Sequence, residues 1–208
     1  MDERVRVEVR DHIAYATLSR ADNYNGLDMP MLRSLAETAK RLRSDRELRA
    51  VILNGDGPAF CAGLDFAAVA KDQRRFLLSG LKVPGQLNLF QKACWNWREL
   101  PVPVIAVLHG HCYGGGLQLA LAADFRIATP DAQLSIMEGK WGLIPDMTGS
   151  VTLRELLPMD VAKRLTMTAE TFSGSRALEL GLVTEVADDP AKAAEALVDE
   201  LLTRSPDA

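Results

Sequence analysis

The chain lacks the features of membrane and secreted proteins. No apolar run approaches the roughly 18 residues that a membrane-spanning helix needs. Residues 1–4 are not followed by the apolar region of a signal peptide. The sequence therefore predicts a cytoplasmic protein with no membrane partner.

Patterns that bind metals, disulfides or nucleotides are also missing. Cys61, Cys94 and Cys112 are odd in number and form no C-x-x-C pair, which argues against a disulfide framework and a zinc site. We expect them to be reduced thiols in or near the core. There is no H-E-x-x-H motif, no G-x-G-x-x-G spacing and no Gly-Lys-Ser/Thr loop. Neither a metal nor a nucleotide is predicted.

The charge pattern argues against a nucleic-acid partner. The 24 Lys and Arg residues are outnumbered by 28 Asp and Glu residues, for a net charge of −4. No basic block or arginine-rich arm is present to neutralise a phosphate backbone. With 208 residues, 48% of them hydrophobic and 25% charged, the chain has the composition of a globular protein, and one domain is the simplest expectation.

Strand and helix patterns alternate from the N-terminus, which predicts an α/β layer. Residues 5–9 and 12–18 read as a hairpin. Asp28 can cap a helix that carries Pro30 in its first turn, and residues 50–54 form a compact strand. Residues 66–100 read as helical pieces joined by a mobile loop. Helical patterns follow at 151–157, 161–168, from 175 to Gly181, and from Asp189 and Pro190 to about 203.

The stretch at 102–124 is the strongest candidate for a functional site. A buried strand is predicted at 102–108 and a helix at 117–123, and the turn between them contains Gly110 and Gly114 to Gly116. Consecutive glycines at a helix start let the backbone approach a ligand closely and leave N–H groups unpaired, so the turn can hold an oxyanion. A second small-residue turn at 60–65 could bring further N–H groups to the same site. The alternative is that these glycines only make a tight turn.

Histidines and acids near these turns are further candidates. His109 and His111 flank the glycine turn and could act as bases, although ordinary hydrogen-bonded histidines are the simpler interpretation. Glu138 and Asp146 lie among apolar residues, glycine and proline, where a carboxylate is either solvent-facing or functional. Asp146 could also be a helix cap after Pro145.

Several motifs together resemble the crotonase, or enoyl-CoA hydratase/isomerase, superfamily. The matching segments occur in the family's order and cover nearly the whole chain: residues 20–27, 59–65, 109–119 with Asp124, 138–145 and 172–183. The resemblance implies a crotonase-like spiral of ββα units with C-terminal helices. It also implies that an acyl-CoA thioester is bound between two backbone N–H donors.

By this resemblance, the oxyanion hole would consist of the N–H groups of Leu64 and Gly115. Two preorganised donors would stabilise the charge that develops on the thioester oxygen by several kcal/mol. Five residues in the same motifs are predicted to bind substrate: Ala62, Gly63, Asp65, Gly114 and Trp141.

The departures from the family pattern bear on the reaction. Family hydratases place one glutamate three residues after the middle glycine and a second one twenty residues later, whereas this chain has Gln118 and Glu138. Glutamine can orient water but cannot accept its proton, so the change could remove on the order of 10²–10⁴ of hydration rate. One glutamate suffices to move a proton between carbons, which favours double-bond isomerisation in fatty-acid metabolism through Glu138, with Gln118 orienting substrate or water. Asp146, eight residues after Glu138, matches an acid of family dienoyl-CoA isomerases and would be auxiliary.

Two alternatives remain open: a 2-enoyl-CoA hydratase that works through Glu138 alone, and a non-catalytic acyl-CoA binding protein.

Residues 1–150 are expected to form the spiral core with the thioester site. Residues 151–208 are expected to form a partial helical region of the same functional domain, because family members usually continue further; the tail would be absent or disordered. The resemblance implies a homotrimer or hexamer. No cofactor is expected, because CoA is part of the substrate. The length of the acyl chain is not predicted.

Overall fold

The computed structural model describes residues 4–81 and 83–205. The β-strands are β1 (Val5–Arg10), β2 (Ile13–Leu18), β3 (Ala50–Gly55), β4 (Val104–Leu108), β5 (His111–Tyr113), β6 (Phe125–Ala128), β7 (Gln133–Ser135), β8 (Phe172–Ser173) and β9 (Glu185–Val186). The α-helices are α1 (Met29–Leu42), α2 (Phe66–Lys71), α3 (Gln73–Ser79), α4 (Leu89–Arg98), α5 (Gly115–Leu121), α6 (Gly149–Leu156), α7 (Met159–Thr168), α8 (Gly174–Leu180) and α9 (Pro190–Leu202). Short 3-10 helices lie at Ala21–Asn23 and Met137–Trp141.

The predicted α/β architecture is confirmed as a spiral. A six-stranded sheet has the order β1-β2-β3-β4-β6-β9, and only the β1–β2 hairpin in it is antiparallel. A smaller sheet has the order β5-β7-β8. Parallel bridges from Leu27 to Leu64 and from Cys61 to Cys112 link successive turns beside it. Successive turns of the spiral therefore contribute one segment to the long sheet and another to the smaller sheet or to the bridges beside it.

Local sequence signals explain several helix boundaries. Asp28 accepts a hydrogen bond from the N–H of Met31 and so caps α1, whose first turn contains Pro30 as predicted. Asp189 caps α9 in the same way, and Gly181 ends α8 in a left-handed conformation. The described part of the region at 66–100 contains helices α2, α3 and α4, which confirms the predicted helical pieces.

The core has two parts on opposite faces of the long sheet. The larger part contains α1 and α4, together with the buried thiols of Cys61, Cys94 and Cys112, which are free as predicted. The smaller part lies between the sheet and α9. Within the described ranges, no helix has both the length and the apolar character needed to cross a membrane.

Arg126 on β6 connects the C-terminal region to this core. Its buried guanidinium donates hydrogen bonds to the carbonyls of Leu182 and Ala123, each at 2.7 Å. Burial lowers the pKa of Arg126 to about 10, and the nearby charge of Asp124 partly offsets this effect. Because β8 and β9 also pair with β7 and β6, the segment after residue 150 packs into the same fold as the residues before it.

Candidate active site

Two turns from different parts of the chain meet in the middle of the molecule. The N–H of Tyr113 donates to the carbonyl of Cys61 at 3.0 Å, which holds the turn after β3 against the turn after β5. A Cβ on Gly63 would lie 2.6 Å from the carbonyl oxygen of Tyr113. A Cβ on Gly116 would lie 2.5 Å from the carbonyl oxygen of Cys61. Only glycine at both positions allows this approach.

The N–H groups of Leu64 and Gly115 remain free at this junction. Neither group donates a hydrogen bond to any acceptor in the part of the chain that the structure describes. The neighbours of Leu64 are fixed, because the Gly63 carbonyl accepts from the N–H of Leu27 and the Asp65 N–H donates to the Leu27 carbonyl. Both Leu64 and Gly115 line one cavity of about 220 Å³. Two free donors at one cavity can bind a carbonyl oxygen that gains negative charge.

Glu138 lies in the same cavity, next to Gln118. The Gln118 Nε2 donates to Glu138 Oε1 at 2.6 Å, and Gln118 Oε1 accepts from the N–H of Gly149 at 2.9 Å. These two bonds fix which end of the amide faces the carboxylate. Glu138 is only 7% exposed, and its Oε2 has no partner among the described residues. One carboxylate oxygen is therefore held by the amide and the other is available for proton transfer.

The environment of Glu138 favours its protonated form. Burial raises the pKa of this carboxyl, and the charge of Asp146 adds to the increase. Hydrogen bonds from the Glu138 backbone and from Gln118 act in the opposite direction. A carboxyl whose pKa lies above the usual range can take up and return a proton more readily near neutral pH.

A pH profile tests this environment. If Glu138 is the base that removes a proton, it must be ionised, so kcat should fall as the pH drops through its raised pKa, at a higher pH than an ordinary glutamate would give. Gln118→Leu removes a bond that favours the ionised form, so the acid limb should move to still higher pH. The measurement is kcat against pH for both proteins. An acid limb that stays at the same pH in Gln118→Leu would contradict this account.

Asp146 lines the cavity and is exposed to solvent, so it lies at the rim. The alternative interpretation as a helix cap was wrong: α6 begins after Thr148, which is its N-cap residue, and no side chain caps that helix. The reason is that residues 144–146 form a tight turn centred on Pro145, in which the N–H of Asp146 donates to the carbonyl of Ile144, and the helix begins later. The carboxylate is thus close enough to Glu138 to affect its pKa.

A second, smaller cavity of about 50 Å³ adjoins the first at Leu64, Gly115 and Glu138. It is lined by four of the predicted substrate-binding residues: Ala62, Gly63, Gly114 and Trp141. The Trp141 ring packs against the ring of Phe66, with 4.7 Å between centroids, although both side chains are largely exposed. Phe66 was not predicted from the sequence, and its position directly after the 60–65 turn could have indicated it.

Asp65, the fifth predicted substrate-binding residue, has protein partners. It caps α2 by accepting from the N–H of Ala68, and it forms an ion pair with Arg20 at 2.7 Å. Burial alone would raise the pKa of Asp65, but the bonds from Ala68 and Arg20 lower it overall. Arg20 also pairs with Asp28 at 3.5 Å, so one guanidinium links the caps of α1 and α2. These contacts fix the position of Asp65, which directly follows Leu64.

Of the two histidines beside the glycine turn, His109 has the expected hydrogen bond, whereas the buried Nδ1 of His111 has no hydrogen-bond partner among the described residues. The His109 ring bonds to the carbonyl of Gly57 at 3.0 Å. The His111 ring packs between Tyr24 and Tyr113, with centroid distances of 5.8 and 4.9 Å. Neither ring is among the residues lining the two cavities.

The fold and the site together define a class of protein. The spiral of ββα turns, the two free amides from different turns and the buried glutamate at one cavity agree with the arrangement that the resemblance to the crotonase superfamily implies. The sequence profile of the enoyl-CoA hydratase/isomerase family matches residues 8–208. The chain belongs to this family of acyl-CoA enzymes.

Individual relatives agree with this assignment. The chain is 34% identical over 190 residues to an (E)-benzylidenesuccinyl-CoA hydratase from Thauera aromatica, covering 91% of this chain and 72% of that one. It is 32% identical to the human mitochondrial methylglutaconyl-CoA hydratase, covering 81% of this chain and 48% of the relative. It therefore spans only about half of that protein. The crystal structure of an enoyl-CoA hydratase from Mycobacterium tuberculosis H37Rv superposes with a TM-score of 0.84 at 33% identity, covering 99% of this chain and 78% of that one.

Proposed function

We propose that the protein moves a carbon–carbon double bond within an enoyl-CoA thioester, using Glu138 as its only proton carrier. The observation that carries this proposal is the Gln118–Glu138 pair. One carboxylate oxygen is bound to the amide at 2.6 Å, and the other is buried with no partner among the described residues. Because Gln118 Nε2 donates directly to Glu138 Oε1, Gln118 acts as a hydrogen-bond donor to the carboxylate, whereas a second glutamate would act as a base.

The proposed reaction begins with the thioester oxygen between the N–H groups of Leu64 and Gly115. The ionised Glu138 removes a proton from the α carbon of a 3-enoyl thioester, and the electron pair moves into a dienolate whose charge rests on that oxygen. Glu138 then returns the same proton to the γ carbon, which gives the 2-enoyl thioester. No atom is gained or lost, and the scheme requires no resident cofactor because the thioester itself acidifies the α proton.

Gln118 and Asp146 would have supporting roles in this scheme. Gln118 would orient Glu138, because its own oxygen is occupied by the N–H of Gly149. Asp146 would raise the proton affinity of Glu138 from the exposed rim of the cavity. An assembly into trimers or hexamers and a cytoplasmic location remain proposals that follow from the family resemblance.

Hydration is the second candidate, favoured by the names of the relatives. Both relatives and the solved structure described above are called hydratases. A hydratase working here would need Glu138 alone to activate water, with Gln118 at most orienting it. The lost second carboxylate is the physical argument against rapid hydration, since general-base assistance of this kind is worth on the order of 10²–10⁴ in rate.

Parallel assays separate the candidates. We expect the purified protein to convert a 3-enoyl-CoA into the 2-enoyl-CoA faster than it hydrates a 2-enoyl-CoA. Rapid hydration that is lost in Glu138→Gln and unaffected in Gln118→Ala would refute the isomerase proposal in favour of hydration. Binding of acyl-CoA in calorimetry, without turnover of 2-enoyl, 3-enoyl or dienoyl substrates, would identify a non-catalytic binding protein.

A further inference from the structure

Two aromatic rings, Phe76 and Phe90, form an aromatic wall of the cavity of about 220 Å³, which we call the inner cavity. Phe76 comes from α3 and Phe90 from α4, and their rings meet edge to face with centroids 4.7 Å apart at an interplanar angle of 63°. Both rings line the cavity that contains Leu64 and Gly115. The two free amides and the two aromatic rings therefore line one continuous cavity.

Gly80 completes this wall without a side chain. A Cβ at this position would lie 3.5 Å from Cε2 of Phe90, so the main chain already lies close to the ring edge. The Gly80 carbonyl accepts a hydrogen bond from Nδ2 of Asn88 at 3.2 Å. Asn88 is itself buried and caps α4 through a reciprocal pair of bonds with Gln91. The backbone of Gly80 is therefore fixed relative to the helix that carries Phe90.

The size of the cavity can be compared with that of an aromatic ring. An apolar cavity of about 150 Å³ lined by Leu, Ile and Phe is large enough to bind benzene. The cavity here measures about 220 Å³ and includes the space beside the two amides. It has room for one ring joined to the thioester by a short linker.

We propose that the acyl group of the substrate is compact and ends in an aromatic ring that packs on Phe76 and Phe90, and that Gly80 sets the space available to it. This inference rests on the proposed function, because it assigns the inner cavity to the acyl part of a CoA thioester. Aromatic rings pack on one another in edge-to-face or offset geometry and gain stability beyond that of the buried area alone. A wall of two rings therefore favours an aryl group over an alkyl group of the same size.

Calorimetry with saturated acyl-CoA probes tests the ring preference. The probes are 3-phenylpropanoyl-CoA, 3-cyclohexylpropanoyl-CoA, which has the same number of carbons without aromaticity, palmitoyl-CoA and butanoyl-CoA. We expect the phenyl probe to bind about two- to tenfold tighter than the cyclohexyl probe. Palmitoyl-CoA should bind more weakly than either. In Phe90→Leu the phenyl probe should lose part of its advantage over the cyclohexyl probe, because one of the two rings is removed while Phe76 remains.

Gly80→Val tests the space at the wall. We expect it to weaken binding of the phenyl probe about tenfold or more and to leave butanoyl-CoA binding within about twofold. Leu78→Ala on the exposed face of α3 is the control and should change neither constant. Tighter binding of palmitoyl-CoA, or an unchanged ring preference in Phe90→Leu, would overturn the inference while leaving the proposed function intact. Failure of every probe, butanoyl-CoA included, to bind would contradict both.

Discussion

Glu138→Gln is expected to lower kcat by a factor of about 10²–10⁴ with little change in acyl-CoA affinity. The amide has nearly the shape of the carboxylate and can still accept the bond from Gln118, but it cannot take up a proton. The thioester would still be bound by the N–H groups of Leu64 and Gly115. The measurements are kcat on a 3-enoyl-CoA and the dissociation constant of a saturated acyl-CoA.

The melting temperature distinguishes the loss of the proton carrier from damage to the fold. Because burial raises the folded-state pKa of Glu138, its ionisation costs stability as the pH rises through that value. The neutral amide removes this cost, so Glu138→Gln should melt at the same or a higher temperature than the parent protein at pH 8. Glu37→Gln, on the exposed face of α1, is the control and should change neither activity nor melting. A fully active Glu138→Gln protein would exclude Glu138 as the proton carrier.

Gly116→Ala should abolish most activity and also destabilise the protein. In an ordinary helix this substitution would add up to about 1 kcal/mol of stability. Here the new Cβ would lie 2.5 Å from the carbonyl oxygen and 2.7 Å from the Cβ of Cys61. Moving the Cys61 turn to make room for the added methyl group should lower the free energy of unfolding by about 1–3 kcal/mol. It would push apart the turns that carry Leu64 and Gly115, and loss of one such donor costs about 10²–10³ in kcat.

The measurements for Gly116→Ala are kcat and the melting temperature. A domain of this size loses roughly 2–4 °C for each kcal/mol of stability, so the decrease is measurable. Gly85→Ala is the control: it has a left-handed backbone angle but no atom within 4 Å of the added Cβ. It should retain full activity. An active, more stable Gly116→Ala protein would mean that the two turns are not in the close contact described here.

Much of this site could be predicted from the sequence because its signals are local. Consecutive glycines at 114–116 and small residues at 60–65 indicated two close-approach turns, and the structure brings them together. Helix ends were predictable where a capping side chain and a proline or glycine coincide, as at Asp28 and Asp189. The family motifs then placed both turns in one fold, and that family is confirmed.

Other parts depended on contacts between distant residues. Strand β5 was predicted as part of a turn, since three residues carry no periodic pattern and the strand exists only because it pairs with β7. The aromatic wall lies in the segment at 66–100, where helices were predicted without their bounds or their buried faces. The contact between Phe76 and Phe90 could therefore not be predicted. The preference for isomerisation over hydration remains a prediction, because it depends on Gln118, whose neighbours come from two other turns of the spiral.

The stacking of turns also bears on how activity is lost when the protein unfolds. The groups around the free amides and Glu138 come from positions as far apart in sequence as Leu27, Leu64 and Gly149. Contacts of such long range form only when the intervening chain is ordered. Local unfolding of any one turn would therefore separate the groups of the site. Partly unfolded molecules should then contribute no residual turnover.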